Sequence, residues 1–274
     1  MLIAPIIAGA LAEDLGRSGD VTSRACIDED ARLRCVFAAR KPGILAGLAC
    51  VRLAMAALDP AVAFQALKND GDRLGAGEQI ATVEGSARAI LGAERTALNL
   101  LGRLCGVATL TGAYVAKVEG TRARIIDTRK TTPGLRVLEK YAVRCGGGAN
   151  HRFGLDDAIL IKDNHVAACG GVGEALRRAR MRAGHMVKIE VEVDSLEQLK
   201  QALEHDPDII MLDNFTLADL RAAVALAHGR VVLEASGSVD LATVGQIALT
   251  GVDLISVGAL THSAPVLDIG LDAI

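Results

Sequence analysis

Polar and charged residues recur in the second half of the sequence at the points where short apolar segments end. In chain order they are Asp127, Arg129 and Lys130, then Lys162, Glu192, Asp213, Ser236 with Gly237, and Gly258. Arginine and lysine bind carboxylates and phosphates, and one or two carboxylates hold Mg²⁺ together with substrate phosphates. Because these residue types suit one anionic ligand and one metal ion, we expect them to form a single site.

Residues 187–193 show the clearest alternation of residue types. β-Branched residues occupy the odd positions, and Lys188, Glu190 and Glu192 occupy the even ones. Successive side chains of a strand point to opposite faces, so the charged residues share a face. On a half-exposed antiparallel sheet that face would be solvated. In a parallel barrel it would be the interior, where carboxylates need a cation.

The barrel interpretation places four carboxylates on the inner face. They are Glu190, Glu192, Asp213 and Glu234. Lys188 would then offset one of these charges, and Mg²⁺ suits Glu192 and Asp213 near the rim.

Basic residues accompany the carboxylates. They are Arg129, Lys130, His151, Arg152 and Lys162. Each alone is also typical of a protein surface, but together they predict a ligand with several anionic groups.

The turns 236–238 and 258–260 contain glycine and serine at the ends of strands, where backbone amides bind phosphate in many barrels. Glycines that serve only to form a turn would give the same sequence pattern.

The pattern of segments indicates the elements that position these residues. From about residue 120 onward, six apolar runs alternate with helical stretches, which is typical of βα units with a parallel sheet. A closed barrel is favoured over an open doubly wound sheet. Residues 1 to about 105 show the patterns of short helices and short strands. One long helical pattern covers the end of this region and extends beyond it, from Ala87 to Lys117.

The composition excludes several classes of protein. Hydrophobic residues make up 51% of the 274 residues, the formal charge is -3, and only 2% of the residues are aromatic. A disordered chain, a nucleic-acid-binding protein and a membrane-surface protein are therefore not expected. The six cysteines include no CxxC pair, and the N-terminal apolar stretch is too short to span a bilayer. We expect a cytoplasmic protein with reduced thiols.

Six ordered motifs give the chain a resemblance to a known family. They are Asp127-Thr128-Arg129-Lys130-Thr131-Thr132-Pro133-Gly134, His151-Arg152, Ile161-Lys162-Asp163-Asn164-His165, Glu190-Val191-Glu192-Val193, Met211-Leu212-Asp213-Asn214 and Glu234-Ala235-Ser236-Gly237. Together they resemble quinolinate phosphoribosyltransferase over nearly the whole sequence. The resemblance implies a mixed α/β protein with an N-terminal α/β sandwich and a C-terminal, seven-stranded open α/β barrel. Residues 1–105 and 264–274 would form the sandwich, and residues 106–263 the barrel.

The resemblance also implies roles for individual residues. Arg129, Lys130, His151, Arg152 and Lys162 would bind the carboxylates of quinolinate and the phosphates of phosphoribosyl pyrophosphate. Glu192 and Asp213 would face the ribose and Mg²⁺, and Ser236, Gly237 and Gly258 would hold the 5′-phosphate. Lys130, Glu192 and Asp213 are predicted to act in catalysis. Ser238 departs from the family pattern, in which glycine is more usual.

The implied reaction joins quinolinate to the phosphoribosyl group and releases CO₂, giving nicotinate mononucleotide for NAD biosynthesis. A homodimer or a hexamer built as a trimer of dimers is implied, with Arg95 donated by a neighbouring subunit. Three alternatives stay open at this point. They are a related phosphoribosyltransferase of molybdate-uptake operons, a Schiff-base aldolase using Lys130 or Lys162, and a barrel that binds a phosphometabolite without catalysis.

Overall fold

The computed structural model describes residues 2–274 as twelve strands and eleven helices. The strands are β1 (Arg32–Ala39), β2 (Gly43–Ile44), β3 (Ala63–Ala66), β4 (Arg73–Leu74), β5 (Gln79–Ser86), β6 (Arg124–Ile126), β7 (Ile159–Ile161), β8 (Ile189–Val193), β9 (Ile209–Asp213), β10 (Val232–Ser236), β11 (Leu254–Ser256) and β12 (Ile269–Ala273). The helices are α1 (Ala4–Leu15), α2 (Val21–Cys26), α3 (Leu48–Leu58), α4 (Ala87–Lys117), α5 (Arg136–Cys145), α6 (Asp163–Cys169), α7 (Val172–Arg182), α8 (Leu196–Leu203), α9 (Leu217–Ala227), α10 (Val244–Ala248) and α11 (Ala259–His262).

The chain forms two compact units. The first runs to Gly112 and also contains Thr131–Gly147 and Leu260–Ile274. Its main sheet is antiparallel, with the strand order β12-β1-β5-β3. The second unit consists of Ala113–Lys130 and Gly148–Ala259.

The second unit is built on a parallel sheet with the strand order β6-β11-β10-β9-β8-β7. β6 and β7 are consecutive in the chain, yet they lie at opposite edges of this sheet. The architecture is therefore the open α/β barrel implied by the family resemblance, not the closed barrel favoured by periodicity. The sheet has six strands, as counted from the sequence. Ala149 adds only a single parallel bridge to Ile126, so a regular seventh strand is absent from residues 2–274.

Serine and threonine side chains cap helices α8 and α9. The hydroxyl of Ser195 accepts a hydrogen bond from the backbone N–H of Gln198 at the start of α8, at 3.4 Å. Thr216 does the same for Asp219 at the start of α9, at 3.2 Å. These side chains satisfy amide groups that have no partner inside the helix. Between residues 239 and 250 only the five residues of α10 are helical.

Helix α4 is unbroken over 31 residues despite its glycines. A Cβ atom on Gly106 would collide with the backbone carbonyl of Pro265, and one on Gly102 would lie 2.9 Å from the carbonyl of Leu267. The glycines therefore permit close backbone packing within the first unit. By length and composition alone α4 could cross a membrane, but 61% of its most apolar window is buried in the protein, as in a core helix.

A buried acid organises the segment that follows Lys130. The carboxylate of Glu139 is fully buried and accepts hydrogen bonds from the guanidinium of Arg103 at 2.7 Å. It also accepts bonds from the backbone N–H and the hydroxyl of Thr132, at 2.9 and 2.7 Å. A buried carboxylate with this many donors is well compensated for the loss of water. Sequence reasoning did not identify Glu139.

One charged residue lies elsewhere than predicted. Lys188 precedes β8 instead of lying inside it, and its ammonium group bonds to Asp208 at 2.7 Å on the surface. The expectation that Lys188 offsets an interior carboxylate is therefore wrong. All six cysteines are free thiols.

Candidate active site

Strand register places the predicted carboxylates on one face of the parallel sheet. Glu192 pairs with Met211 on β9, and Met211 pairs with Glu234 on β10. Asp213, two residues after Met211 on the same face, pairs with Ser236. Side chains alternate along a strand, so Glu190 shares this face as well. The ring of His151 lies close to both Glu190 and Glu234, which agrees with the shared face that the sequence predicted for these two carboxylates.

Lys162 and Glu192 form an ion pair across neighbouring strands. Lys162 directly follows β7 and caps α6, and its ammonium group contacts the Oε2 atom of Glu192 on β8. The Lys162 side chain is 46% exposed, whereas that of Glu192 is 14% exposed. The pair therefore lies at the rim, where an incoming anion can share the lysine.

Asp213 and Glu192 fit the ligand set of a magnesium ion. They lie on adjacent strands, on the same face and one step apart along it. Asp213 is partly exposed, and its Oδ2 atom accepts a hydrogen bond from the side chain of Asn214 at 2.8 Å. Mg²⁺ is held by one or two carboxylates together with water and substrate phosphates. The rim offers such a partial set, which a phosphorylated substrate would complete.

The turn after β10 requires its glycine. Gly237 has a φ angle of +97°, and a Cβ atom there would lie 2.9 Å from the backbone nitrogen of Asn214 and closer still to its side chain. Asn214 itself donates its backbone N–H to the carbonyl of Ser236 at 2.9 Å. The turns after β9 and β10 are therefore locked together with backbone groups close to the rim.

Ser238 occupies a position that favours glycine. Its φ angle is +50°, in the left-handed region, where an L-residue is strained by about 1–2 kcal/mol. Glycine avoids this strain but loses about 0.5–1 kcal/mol through the greater freedom of the unfolded chain. We expect Ser238→Gly to raise the free energy of unfolding by about 0.5–1 kcal/mol, measured by urea denaturation.

Ser195→Gly provides the matched control for that measurement. Ser195 has extended backbone with a φ angle of -150°, and its hydroxyl caps α8. This substitution should therefore give no gain in stability. An equal or lower stability of Ser238→Gly would contradict the interpretation of strain.

Arg152 presents an unsatisfied cationic group. Its Nη1 atom donates to the carbonyl of Ala158 at 3.0 Å, but its Nε atom is buried without a hydrogen-bond partner. Burial lowers the pKa of the Arg152 guanidinium, and the neighbouring charge of Arg129 lowers it further. An anion bound between Arg129 and Arg152 would offset the repulsion of their positive charges and would accept a hydrogen bond from Nε of Arg152.

His151 lies against two buried carboxylates. Its Nε2 atom is 3.0 Å from Oε2 of Glu190 and 3.7 Å from Oε2 of Glu234. Glu190 is 4% exposed and Glu234 is 1% exposed. Burial raises the pKa of Glu234 well above its ordinary value, and the adjacent carboxylate of Glu190 raises it further. The sequence predicted these interior acids but not their contact with His151.

Of the remaining predicted residues, Arg95, Arg129 and Lys130 are exposed, and Gly258 is half-buried. Arg129 and Lys130 follow β6, and the backbone N–H of Lys130 donates to the hydroxyl of Thr128 at 3.0 Å. Gly258 follows β11. All predicted site residues except Arg95 belong to the second unit. Arg95 belongs to the first unit, where it is exposed on α4.

Family comparisons agree with the site chemistry. The family model for the N-terminal domain of quinolinate phosphoribosyl transferase matches residues 20–105, and the C-terminal domain model matches residues 107–272. The chain belongs to the quinolinate phosphoribosyltransferase family. The resemblance derived from the motifs is thereby confirmed.

Individual members of the family are similar over most of this chain. A nicotinate-nucleotide pyrophosphorylase [carboxylating] of Mycobacterium leprae is 48% identical, with 96% of this chain and 94% of the relative covered. A probable enzyme of the same name from Bacillus subtilis is 47% identical, covering 95% and 89%. The structure of nicotinate-nucleotide pyrophosphorylase from Francisella tularensis superposes with a TM-score of 0.96 at 40% identity, covering 100% and 96%.

The names of the similar proteins support one of the functions considered from the sequence. The comparisons support the main prediction, a carboxylating pyrophosphorylase, and not the alternatives.

Proposed function

We propose that this enzyme transfers the phosphoribosyl group of phosphoribosyl pyrophosphate to the ring nitrogen of quinolinate, with loss of one carboxylate as CO₂. The products are nicotinate mononucleotide and pyrophosphate. Arg152 carries the proposal, because its buried Nε atom lacks a partner beside the like charge of Arg129. A dicarboxylate supplies the negative charge that this arrangement needs.

The basic residues bind and orient quinolinate. Arg129 and Arg152 offer planar guanidinium groups that match carboxylates with paired hydrogen bonds, and Lys162 adds a point charge at the rim. Lys130 lies next to Arg129 and faces the negative charge of the pyrophosphate. His151 directs its two ring nitrogens toward Arg152 and Glu190, so its contribution is to shape the carboxylate pocket.

The rim carboxylates stabilise the transfer step. As the ring nitrogen bonds to the anomeric carbon, the bond to pyrophosphate breaks and its electron pair leaves with the pyrophosphate oxygen. Positive charge then develops on the ribose, and the carboxylates of Glu192 and Asp213 stabilise it electrostatically. Mg²⁺, held by these two carboxylates and the pyrophosphate, would neutralise the leaving group.

Decarboxylation follows from the charge created by transfer. The quinolinate nitrogen becomes a pyridinium, so the electron pair left on the neighbouring ring carbon when CO₂ departs lies beside a cationic nitrogen. That carbon then takes up a proton. The chain provides binding and orientation for this step, and Ser236, Gly237 and Gly258 hold the 5′-phosphate through backbone and hydroxyl groups.

Direct turnover tests the proposal. The purified protein incubated with quinolinate, phosphoribosyl pyrophosphate and Mg²⁺ should release CO₂ and nicotinate mononucleotide in equal amounts. Nicotinate, which lacks the carboxylate that is lost, serves as the matched control and should release no CO₂. Release of neither product from quinolinate would refute the proposed function.

We further propose an assembly in which Arg95 acts at the site of a neighbouring subunit, in a homodimer or a trimer of dimers. The resemblance supports this arrangement, and Arg95 is exposed on α4. The six free cysteines suit a reducing compartment such as the cytoplasm.

Mixed subunits test the sharing of Arg95. Arg95→Ala and Lys130→Ala should each be nearly inactive as pure proteins. After subunit exchange, random pairing leaves one intact site in each mixed dimer, so about a quarter of the wild-type activity should return. If each subunit uses its own Arg95, mixing recovers no activity.

A further inference from the structure

A three-residue cluster lies within the barrel at His151, Glu190 and Glu234. Its ligand atoms lie within 4.8 Å of one another, which is compatible by distance with a bound metal ion. Oε1 of Glu190 and both carboxylate oxygens of Glu234 are buried without a hydrogen-bond partner. Such a cluster holds either a metal ion or a proton, and the histidine ring distinguishes the two.

The second ring nitrogen argues against a metal ion. Nδ1 of His151 accepts a hydrogen bond from the backbone N–H of Arg152 at 2.7 Å, so Nδ1 carries no proton. The proton of a neutral ring then resides on Nε2, which points toward Oε2 of Glu190 at 3.0 Å. A metal on Nε2 would move that proton to Nδ1, against the amide proton of Arg152.

The backbone around His151 is held by Asp127 and not by Glu190. Asp127 is fully buried, and its Oδ1 atom accepts the backbone N–H of His151 at 2.9 Å. Its Oδ2 atom accepts the side-chain amide of Asn150 at 2.6 Å. Asp127 fixes where residue 151 lies, whereas Glu190 acts on the ring.

We propose that Glu190 is a positioning residue for the quinolinate pocket. Its carboxylate keeps His151 in the Nε2–H tautomer with Nδ1 directed at Arg152. The ring thereby anchors the backbone of Arg152, the residue assigned to quinolinate binding, whose Nε atom is buried without a partner. The identity of the ligand rests on the proposed function; the tautomer does not.

Glu190→Leu and Glu190→Gln test the proposal. Leucine removes the hydrogen-bond acceptor, while glutamine keeps an oxygen at the same place. Loss of a bond to a charged group corresponds to a rise of about tenfold to a hundredfold in KM for quinolinate, with kcat changed much less. Glu190→Gln should restore KM to within about threefold of wild type.

The stability of the variants separates positioning from a merely structural role. Glu190→Leu leaves the Nε2–H group of His151 without its acceptor, which lowers the stability of the folded protein. The variant should therefore melt below the wild type but stay folded at the assay temperature. A merely structural loss would lower the fraction of folded enzyme, and kcat with it, whereas loss of positioning raises KM for quinolinate. Glu197→Gln, the same exchange at an exposed position of α8, is the control, and its KM for quinolinate should stay unchanged.

Ring ¹⁵N NMR gives a readout that needs no activity. With labelled histidine, and His151→Gln to assign the signal, the wild type and Glu190→Gln should show the Nε2–H pattern, and Glu190→Leu should lose it. An unchanged ring signal together with an unchanged KM in Glu190→Leu would overturn the proposal. Failure of the wild type to turn over would instead refute the proposed function and leave the NMR test valid. A Zn²⁺-dependent shift of the His151 signal at stoichiometric metal would also overturn the proposal, in favour of a metal site.

Discussion

Arg152→Ala is expected to weaken quinolinate binding at least about thirtyfold, because truncating one partner of a buried charge pair costs about 2–5 kcal/mol. The Nε atom of the guanidinium is already buried and has no hydrogen-bond partner within the protein. The bound carboxylate would make a charge-assisted bond there that water cannot replace. Isothermal titration calorimetry with quinolinate measures the loss directly.

Arg152→Lys and Arg177→Ala complete the test of this binding site. Lysine keeps the positive charge but lacks the planar fork, so its affinity should fall between those of the wild type and Arg152→Ala. Arg177 is an exposed arginine on α7 paired with Glu174, and its removal should leave quinolinate binding unchanged. Wild-type affinity in Arg152→Ala would show that the carboxylates bind elsewhere.

In contrast to its effect on quinolinate binding, Arg152→Ala should not destabilise the ligand-free protein. Burial and the charge of Arg129 lower the pKa of Arg152, which means that folding disfavours its charged form. A basic group whose pKa is lowered by folding destabilises the folded protein at neutral pH, where the group is charged. This destabilisation disappears only when the pH rises to the pKa of arginine and the group loses its proton. Arg152→Ala should therefore melt no lower than the wild type without ligand.

Apolar periodicity was sufficient to predict the strands of the open barrel. Long apolar runs such as β9 match the sequence prediction, because a strand buried on both faces carries a continuous signal. The short strand β4 has two residues and was missed. A two-residue pairing leaves no periodic pattern, since its register depends on the partner strand.

The site residues that lie at the ends of parallel strands could be predicted from the sequence. Glu192 and Asp213 follow from alternation and from the carboxyl ends of parallel strands. The contact of His151 with Glu190 does not, because it joins a loop to a strand about forty residues away in sequence. Ser238 adopts a positive φ that its residue type does not predict, and Glu139 is buried on a helix where an acid normally faces water.

Asp213→Asn is expected to lower kcat by about a hundredfold to a thousandfold, the usual effect of removing one group that stabilises developing charge. The amide keeps the shape and can still accept the hydrogen bond from Asn214, so folding should be unaffected. What the variant loses is the negative charge facing the ribose and Mg²⁺. The KM for quinolinate should change little, and the Mg²⁺ concentration for half-maximal rate should rise.

Glu192→Gln distinguishes the two rim carboxylates. Glu192 also holds Lys162 in an ion pair, so its loss should disturb quinolinate binding as well as turnover, whereas loss of Asp213 should affect turnover and Mg²⁺ dependence but not quinolinate binding. If both carboxylates stabilise the same developing charge, the double variant should lose less activity than the product of the single losses. Wild-type kcat and Mg²⁺ dependence in Asp213→Asn would instead place the metal and the developing charge away from this pair of strands.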